Sequence, residues 1–203
     1  MNEAEARAWI HEEFGASASA KLSSYVDFLI DASATQNLIS HNSKDQVWSR
    51  HIADSAQLVV GAPASGLWID IGTGAGLPGI VVAICRDEPV MLVEPRRLRT
   101  EFLNRAVAHL GLATQVMQMK VESLALPNAA VVISARAVGR LDALFNAAVH
   151  LADSATHWIL PKGNSAEMEV ESARKSWHGV FHVKPSISDP AAGIVHAHGV
   201  CRR

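Results

Sequence analysis

Apolar positions along this chain change their period once, near residue 63. In the stretch from Leu22 to Leu38, Leu22, Tyr25, Val26, Leu29 and Ile30 recur at helical spacing, and Val47, Trp48, Ile52, Ala56 and Val59 repeat the pattern between Asp45 and Val60. Two or three helices are therefore predicted first, ending near Gly61-Ala62-Pro63. Past the break at Pro63-Ala64-Ser65-Gly66, short apolar runs follow at Leu67–Ile71, Val90–Val93, Gln115–Met119, Ala130–Ser134, His157–Leu160 and Val180–Val183, with a last one at Ile194–Cys201. Longer helical patterns separate most of them, at Arg96–Leu110, Leu141–Ala152 and Ser165–Trp177. Strands alternating with helices predict an α/β fold: a mostly parallel seven-stranded sheet with helices on both faces. The expected organisation is an N-terminal helical cap, residues 1–65, and a sheet domain, residues 66–203, packed as one unit.

Composition narrows the setting. A chain of 203 residues can bury a full core without disulfides or metals. The N-terminus, MNEAEARAWIHEEF, is acidic and amphipathic, unlike a secretory signal. The longest apolar stretch, Leu77 to Cys85, is far short of a membrane span. The two cysteines, Cys85 and Cys201, fit neither a C-x-x-C motif nor a disulfide framework. A cytoplasmic protein, away from membranes, is expected. Net charge is -2 and divides unevenly: residues 1–65 hold 4 Lys/Arg against 8 Asp/Glu, residues 66–203 hold 14 against 12. That mild asymmetry does not by itself indicate a nucleic-acid partner.

The segment Leu67-Trp68-Ile69-Asp70-Ile71-Gly72-Thr73-Gly74-Ala75-Gly76-Leu77-Pro78-Gly79 carries the chemistry. An apolar strand runs into glycines at alternate positions and then into an apolar helix, Ile80–Cys85. Glycine permits positive φ and close approach of a ligand to the backbone, and the helix beyond offers free N–H groups. A dinucleotide fingerprint places its third glycine three residues after the second, where this chain has Leu77. Asp70, two residues before Gly72, would repel a pyrophosphate but suits the ammonium group of S-adenosylmethionine, directly or through water. Asp-x-Gly-x-Gly-x-Gly is the form typical of methyltransferases. The second predicted strand ends at Val93-Glu94, 22 residues after Gly72, where a carboxylate can accept from both ribose hydroxyls of a nucleoside.

Beyond these motifs the chain resembles the small-subunit (16S) ribosomal RNA guanine-N7 methyltransferases, also called the glucose-inhibited division protein B family. The resemblance covers about Leu22 to the C-terminus. It rests on Asn37-Leu38-Ile39-Ser40, Arg50-His51-Ile52-Ala53-Asp54-Ser55, the segment Asp70–Gly79, Phe102-Leu103, Val121-Glu122, Ser134-Ala135-Arg136-Ala137 and Leu160-Pro161-Lys162-Gly163. The glycine turn alone marks the broad class, a Rossmann-like class I methyltransferase. Arg-His-x-x-Asp-Ser and Ala-Arg-Ala, in that order around it, are the more specific features. The resemblance implies a cofactor, S-adenosylmethionine, leaving as S-adenosylhomocysteine, with contacts at Gly72, Leu77, Val121, Glu122 and Arg136. The implied substrate is one guanine in a hairpin of the decoding region, in free small-subunit ribosomal RNA or the small ribosomal subunit. Three positions depart from the family pattern: Val131 where an aspartate is frequent, Leu98-Arg99 in place of Lys-Arg, and Lys120 in place of arginine.

Asp70, Gly72, Gly74, Gly76 and Glu94, read from the residues, join Leu77, Val121, Glu122 and Arg136, implied by the resemblance, as the expected cofactor site. Arg136, Arg140 and Lys162, expected near C-terminal strand ends, join Arg50 and His51 as candidates for holding RNA. Guanine N7 has a free lone pair and no proton, so no catalytic base is assigned. No metal is expected: His196 and His198 share a strand face without a third ligand at a fitting spacing. A monomer is expected. The residues leave other readings open: a class I methyltransferase acting on a small molecule or protein, a non-catalytic ribosome-associated module, and, more distantly, an oxidoreductase.

Overall fold

The structure, a computed structural model, describes residues 1–203, the side chains of His41, Asn42 and Lys44 excepted. Helix α1 (Glu3–Ala32) opens on a capping box: Asn2 accepts from Glu5 N–H, and the Glu5 carboxylate accepts from Asn2 N–H. Gly15, at φ +79°, breaks α1 into two runs. Its second run carries the predicted Leu22–Leu29 stripe and ends at Ala32, short of Leu38.

The helix expected over Asp45–Val60 is wound unevenly. A 3₁₀ stretch (His41–Gln46) and a π-helical stretch (Trp48–Ala53) precede a single α turn, α2 (Asp54–Ala56), and a 3₁₀ turn (Gln57–Val59). The π-helical stretch is braced from outside. Glu3 of α1 accepts from the N–H groups of Trp48 and Ser49 at 3.0 and 2.7 Å, and Arg7 lies over the Trp48 ring. Widened helical turns of this kind are often found at functional sites, and this one carries Arg50 and His51.

The sheet comprises β1 (Trp68–Ile71), β2 (Val90–Val93), β3 (Gln115–Met117), β4 (Val132–Ala135), β5 (His157–Lys162), β6 (Trp177–Pro185) and β7 (Gly193–Arg202). The order is β3-β2-β1-β4-β5-β7-β6, with β7 antiparallel to β5 and β6 and the other pairs parallel. The connecting helices are α3 (Gly79–Arg86), α4 (Arg97–Leu110), α5 (Leu141–Ala148) and α6 (Ala166–Ala173). Trp177, expected in a helix, begins β6, because α6 stops at Ala173.

Side chains alternate across the strands into two cores. Trp68, Val132 and Ile159 face α1, α3 and α4, while Ile69, Ile133 and Trp158 face α5 and α6. The first core also takes in Trp48, Ile52 and Leu58 of the 41–59 segment, so α1 and that segment are welded to one face of the sheet. Trp48, Trp68 and Trp158 are all core residues. No helix among the described residues is long and apolar enough to cross a membrane.

Candidate active site

The order reverses between β1 and β4, which opens a crevice at the C-terminal strand ends, where ligands bind in such sheets. The glycine turn lies there. Gly72 and Gly74 have φ of +64° and +60°, values costly for any residue with a Cβ. Gly72 N–H donates to the Val93 carbonyl at 2.8 Å, tying the turn to β2. Glu94, just past β2, holds the next step: its Oε2 accepts from Gly74 N–H and its Oε1 from Arg96 N–H, each at 3.0 Å. From below, the buried Tyr25 of α1 donates its hydroxyl to the Ala75 carbonyl at 2.6 Å. Burial pushes the Tyr25 pKa up, so this hydroxyl stays a donor at physiological pH.

Asp70 sits behind the turn rather than in the crevice. It is fully buried; its Oδ2 accepts from Gly79 N–H at 2.9 Å and its Oδ1 from the Ser134 hydroxyl at 2.8 Å. Ser134 in turn accepts from the Trp68 indole N–H at 2.8 Å. A buried polar chain thus runs from the core of β1 to the first N–H of α3. Asp70 does not line the cavity; each of its oxygens accepts from the protein, so it braces the turn from behind.

Burial raises the Asp70 pKa from 3.8 to about 6, against the hydrogen bonds and the Arg136 charge that favour the carboxylate. A folded-state pKa above the unfolded one means the native state holds the extra proton between the two values, so stability falls as pH rises through that window. Asp70→Asn cannot titrate. Its melting temperature is expected to gain on the wild type by about 5 °C between pH 4 and pH 7, read by thermal denaturation across pH. A gap that stays constant or narrows would contradict the shift.

The crevice is a cavity of about 890 Å³, within the range of small-molecule sites. Gly72, Gly74, Leu77, Glu94, Val121, Glu122, Arg136 and His51 all line it. Gly76 does not: it packs inward, where a Cβ would come within 2.5 Å of Ile80 and 3.1 Å of the Tyr25 hydroxyl. Val121 and Glu122 sit on a 3₁₀ turn (Val121–Ser123) after β3, the first buried and the second exposed. Arg99 also lines the cavity, lying over the turn: a Cβ on Gly74 would be 2.7 Å from its Nη1. The rim carries Arg96 and Lys120, both exposed.

A second cavity, of about 390 Å³, adjoins the first and shares Arg136 and Ala137 with it. Arg50 and Lys162 line this one. Lys162 is not a free cation: it pairs with Glu169 at 3.0 Å and donates to the Gly139 carbonyl. Burial alone would raise the Glu169 pKa, but hydrogen bonds from Lys162, Ser165 and Leu141 N–H hold it below its usual range. Arg140 lies outside both cavities, donating to Ser172 at 3.2 Å. It occupies the N-cap position of α5, and its side chain reaches α6.

Arg136, just past β4, stands where the cavities meet. Its Nη1 is 3.1 Å from Asp54 Oδ2 and 3.4 Å from the Arg50 carbonyl, and its Nη2 is 3.4 Å from His51 Nδ1. Burial, then the Arg136 charge, lowers the His51 pKa to about 4, so its imidazole is neutral at pH 7 and accepts the guanidinium's approach. Asp54, Tyr25, Ser134 and Arg99 were not among the expected site residues. Asp54 had a signal, its place in Arg-His-x-x-Asp-Ser. Tyr25 reads as an ordinary member of a helical apolar stripe.

Strand order, the lone antiparallel β7, the turn after β1 and the carboxylate after β2 make this chain a class I methyltransferase. A family model described as rRNA small subunit methyltransferase G matches residues 18–188. The chain belongs to that family, whose members draw their methyl group from S-adenosylmethionine. A relative named Ribosomal RNA small subunit methyltransferase G from Novosphingobium aromaticivorans is 43% identical over 202 residues, covering 96% of this chain and 87% of the relative. Another of that name, from Rhizorhabdus wittichii, is 44% identical, covering 97% and 93%. Among solved structures, the B. subtilis M1A22 tRNA methyltransferase TrmK is similar at a TM-score of 0.56 and 12% identity, covering 72% of this chain and 65% of its own. TYW2 of M. jannaschii, solved with AdoMet, is similar at 0.57 and 10%, covering 75% and 76%. Likeness at such identity concerns the fold alone.

Proposed function

We propose that this protein transfers a methyl group from S-adenosylmethionine to N7 of one guanine in the decoding-region hairpin of 16S ribosomal RNA. The observation that carries the reading is the junction of two cavities at Arg136, one edged by Glu94 and the glycine turn, the other by Arg50 and Lys162. The residues of the first cavity fit the cofactor. Gly72 and Gly74 supply the positive φ that folds the turn against the cavity, with Val138 and Arg99 packed against them, and Glu94 keeps lone pairs for the ribose hydroxyls beyond its two backbone bonds. Leu77 and Val121 offer apolar surface for the adenine, with Glu122 beside it. Asp70 holds the turn from behind.

When bound, the cofactor supplies a methyl group activated by its sulfonium. The protein's own task is alignment. N7 carries an exposed lone pair and no proton, so its attack needs no base. Holding the purine in line opposite the sulfur is worth effective molarities on the order of 10⁵ M or more. Positive charge grows on the purine during transfer, and fixed carboxylates nearby offset it. Arg136 presents its guanidinium at the junction, where it can stack on a base or hold a phosphate. Arg50 and His51 line the cavity walls, Lys162 is braced by Glu169, and Arg140 stands outside to receive flanking phosphates. The reading includes a cytoplasmic monomer without a metal, in which residues 1–65 cap the methyltransferase domain of residues 66–203. Its partner is small-subunit ribosomal RNA or the small subunit.

The test supplies radiolabelled S-adenosylmethionine with small-subunit ribosomal RNA, free or assembled, from cells lacking the activity. Label entering that RNA is the expected result. Cofactor binding without label in either form of the RNA would redirect the reading to a protein or small-molecule substrate.

A further inference from the structure

Arg136 follows β4, yet the groups that hold its guanidinium come from another part of the chain. All three lie in the five residues Arg50 to Asp54: one backbone carbonyl, one neutral imidazole and one carboxylate. Only the carboxylate brings charge. Asp54 is also shared. Its Oδ2 takes Arg136, while its Oδ1 lies 2.7 Å from Ser188 Oγ, 3.0 Å from Gln57 Nε2 and 3.2 Å from Ser186 Oγ. Gln57 completes the grip on the β6–β7 connection, accepting from Ile187 N–H at 2.9 Å. Ser186 and Ser188 line the second cavity. One carboxylate therefore ties together the 41–59 segment, the end of β4 and the wall of the second cavity.

We infer that Asp54 is a positioning residue for methyl transfer, fixing the Arg136 guanidinium at the junction of the two cavities. This rests on the reading that substrate meets cofactor there. An arginine side chain has many rotamers, and an unrestrained one would sample both cavities. The ion pair is largely buried, with 18% and 17% of its side chains exposed. Arg136 nevertheless lines two open cavities, so a guanidinium released from Asp54 is rehydrated there and escapes the full cost of an unpaired buried charge. Small misplacement of a group in an active site, by contrast, can cost on the order of 10²-fold in rate. The signature of positioning is thus a large loss of rate with little loss of fold or of cofactor affinity.

Asp54→Asn separates the two halves of the hub. The amide oxygen still accepts from Ser188 and Gln57, but the NH₂ that replaces Oδ2 cannot accept from Arg136. Single-turnover transfer at saturating RNA is expected to slow about 10²-fold, with S-adenosylhomocysteine affinity within about threefold and the melting temperature within about 3 °C. Asp54→Glu, which keeps the charge but shifts it, is expected to regain about tenfold of that loss. In a double-mutant cycle, Asp54→Asn is expected to add nothing to Arg136→Lys, because both act through one contact. Losses that multiply in the double variant, or a rate unchanged in Asp54→Asn, would overturn the inference. So would a collapse of both melting temperature and S-adenosylhomocysteine binding, which would make Asp54 a residue of the fold only. If the wild-type enzyme itself left the RNA unlabelled, the functional reading would fall and take this inference with it.

Discussion

Glu94→Ala is expected to weaken S-adenosylhomocysteine binding by about 10²-fold or more. Glu94 is buried and its two oxygens already accept from Gly74 and Arg96 N–H, at the edge of the larger cavity. Alanine leaves both donors without their partner and removes the acceptor proposed for the ribose. The first loss falls on the turn; the affinity falls through the ribose hydroxyls, whose hydrogen bonds to a charged acceptor contribute about 1.5–3 kcal/mol each, so that losing two exceeds a factor of about 10² in affinity. Glu94→Gln, which keeps one acceptor oxygen, is expected to fall between the two. Calorimetric titration measures this directly. A change smaller than about threefold would remove Glu94 from the cofactor site.

Gly79→Ala is expected to cost about 2–3 kcal/mol of stability, in the upper range for overpacked cores, and to lower the melting temperature by about 8 °C. Gly79 begins α3, and a Cβ there would lie 2.2 Å from Leu92 Cδ2 and 2.8 Å from Asp70 Oδ2. Both neighbours are fully buried. The clash falls on the hydrogen bond that joins Asp70 to the helix, so S-adenosylhomocysteine affinity is expected to fall with stability. Gly163→Ala is the control: nothing lies within 4 Å of its Cβ position, and its stability is expected to change by less than about 0.5 kcal/mol. Equal melting temperatures for the two variants would contradict the packing argument.

These two positions show what was legible in the sequence. Glu94 could be found because a strand-end acid at a set distance from a glycine turn has one obvious chemical use. Gly79 closes the motif, but the sequence does not distinguish a glycine needed for φ from one needed for space. The strands and their order of appearance followed from apolar runs. The antiparallel insertion of β7 between β5 and β6 did not, since pairing partners leave no mark in hydrophobic periodicity. The 41–59 segment read as one regular helix because its apolar spacing survives a change of winding; the π-helical stretch depends on Glu3, more than forty residues away. In the sequence, Asp70 reads as a ligand contact because it stands beside a glycine turn. Its partners in the fold, Gly79 N–H and Ser134, come from α3 and from β4, which pairs with β1, and only the fold brings Ser134 within 3 Å. The partners of Lys162 and Arg140 are hidden from the sequence for the same reason: Glu169 and Ser172, which hold them, lie on α6.

Transfer to guanine N7 leaves a mark that chemical mapping of the methylated RNA reads out. Reduction followed by strand cleavage cuts RNA at N7-methylguanine. Small-subunit ribosomal RNA treated with this enzyme and S-adenosylmethionine should be cut at one guanine in the decoding-region hairpin, and untreated RNA from the deficient cells should not. Methyl label that enters the RNA with no cleavage, or with cleavage at many guanines, would contradict that transfer.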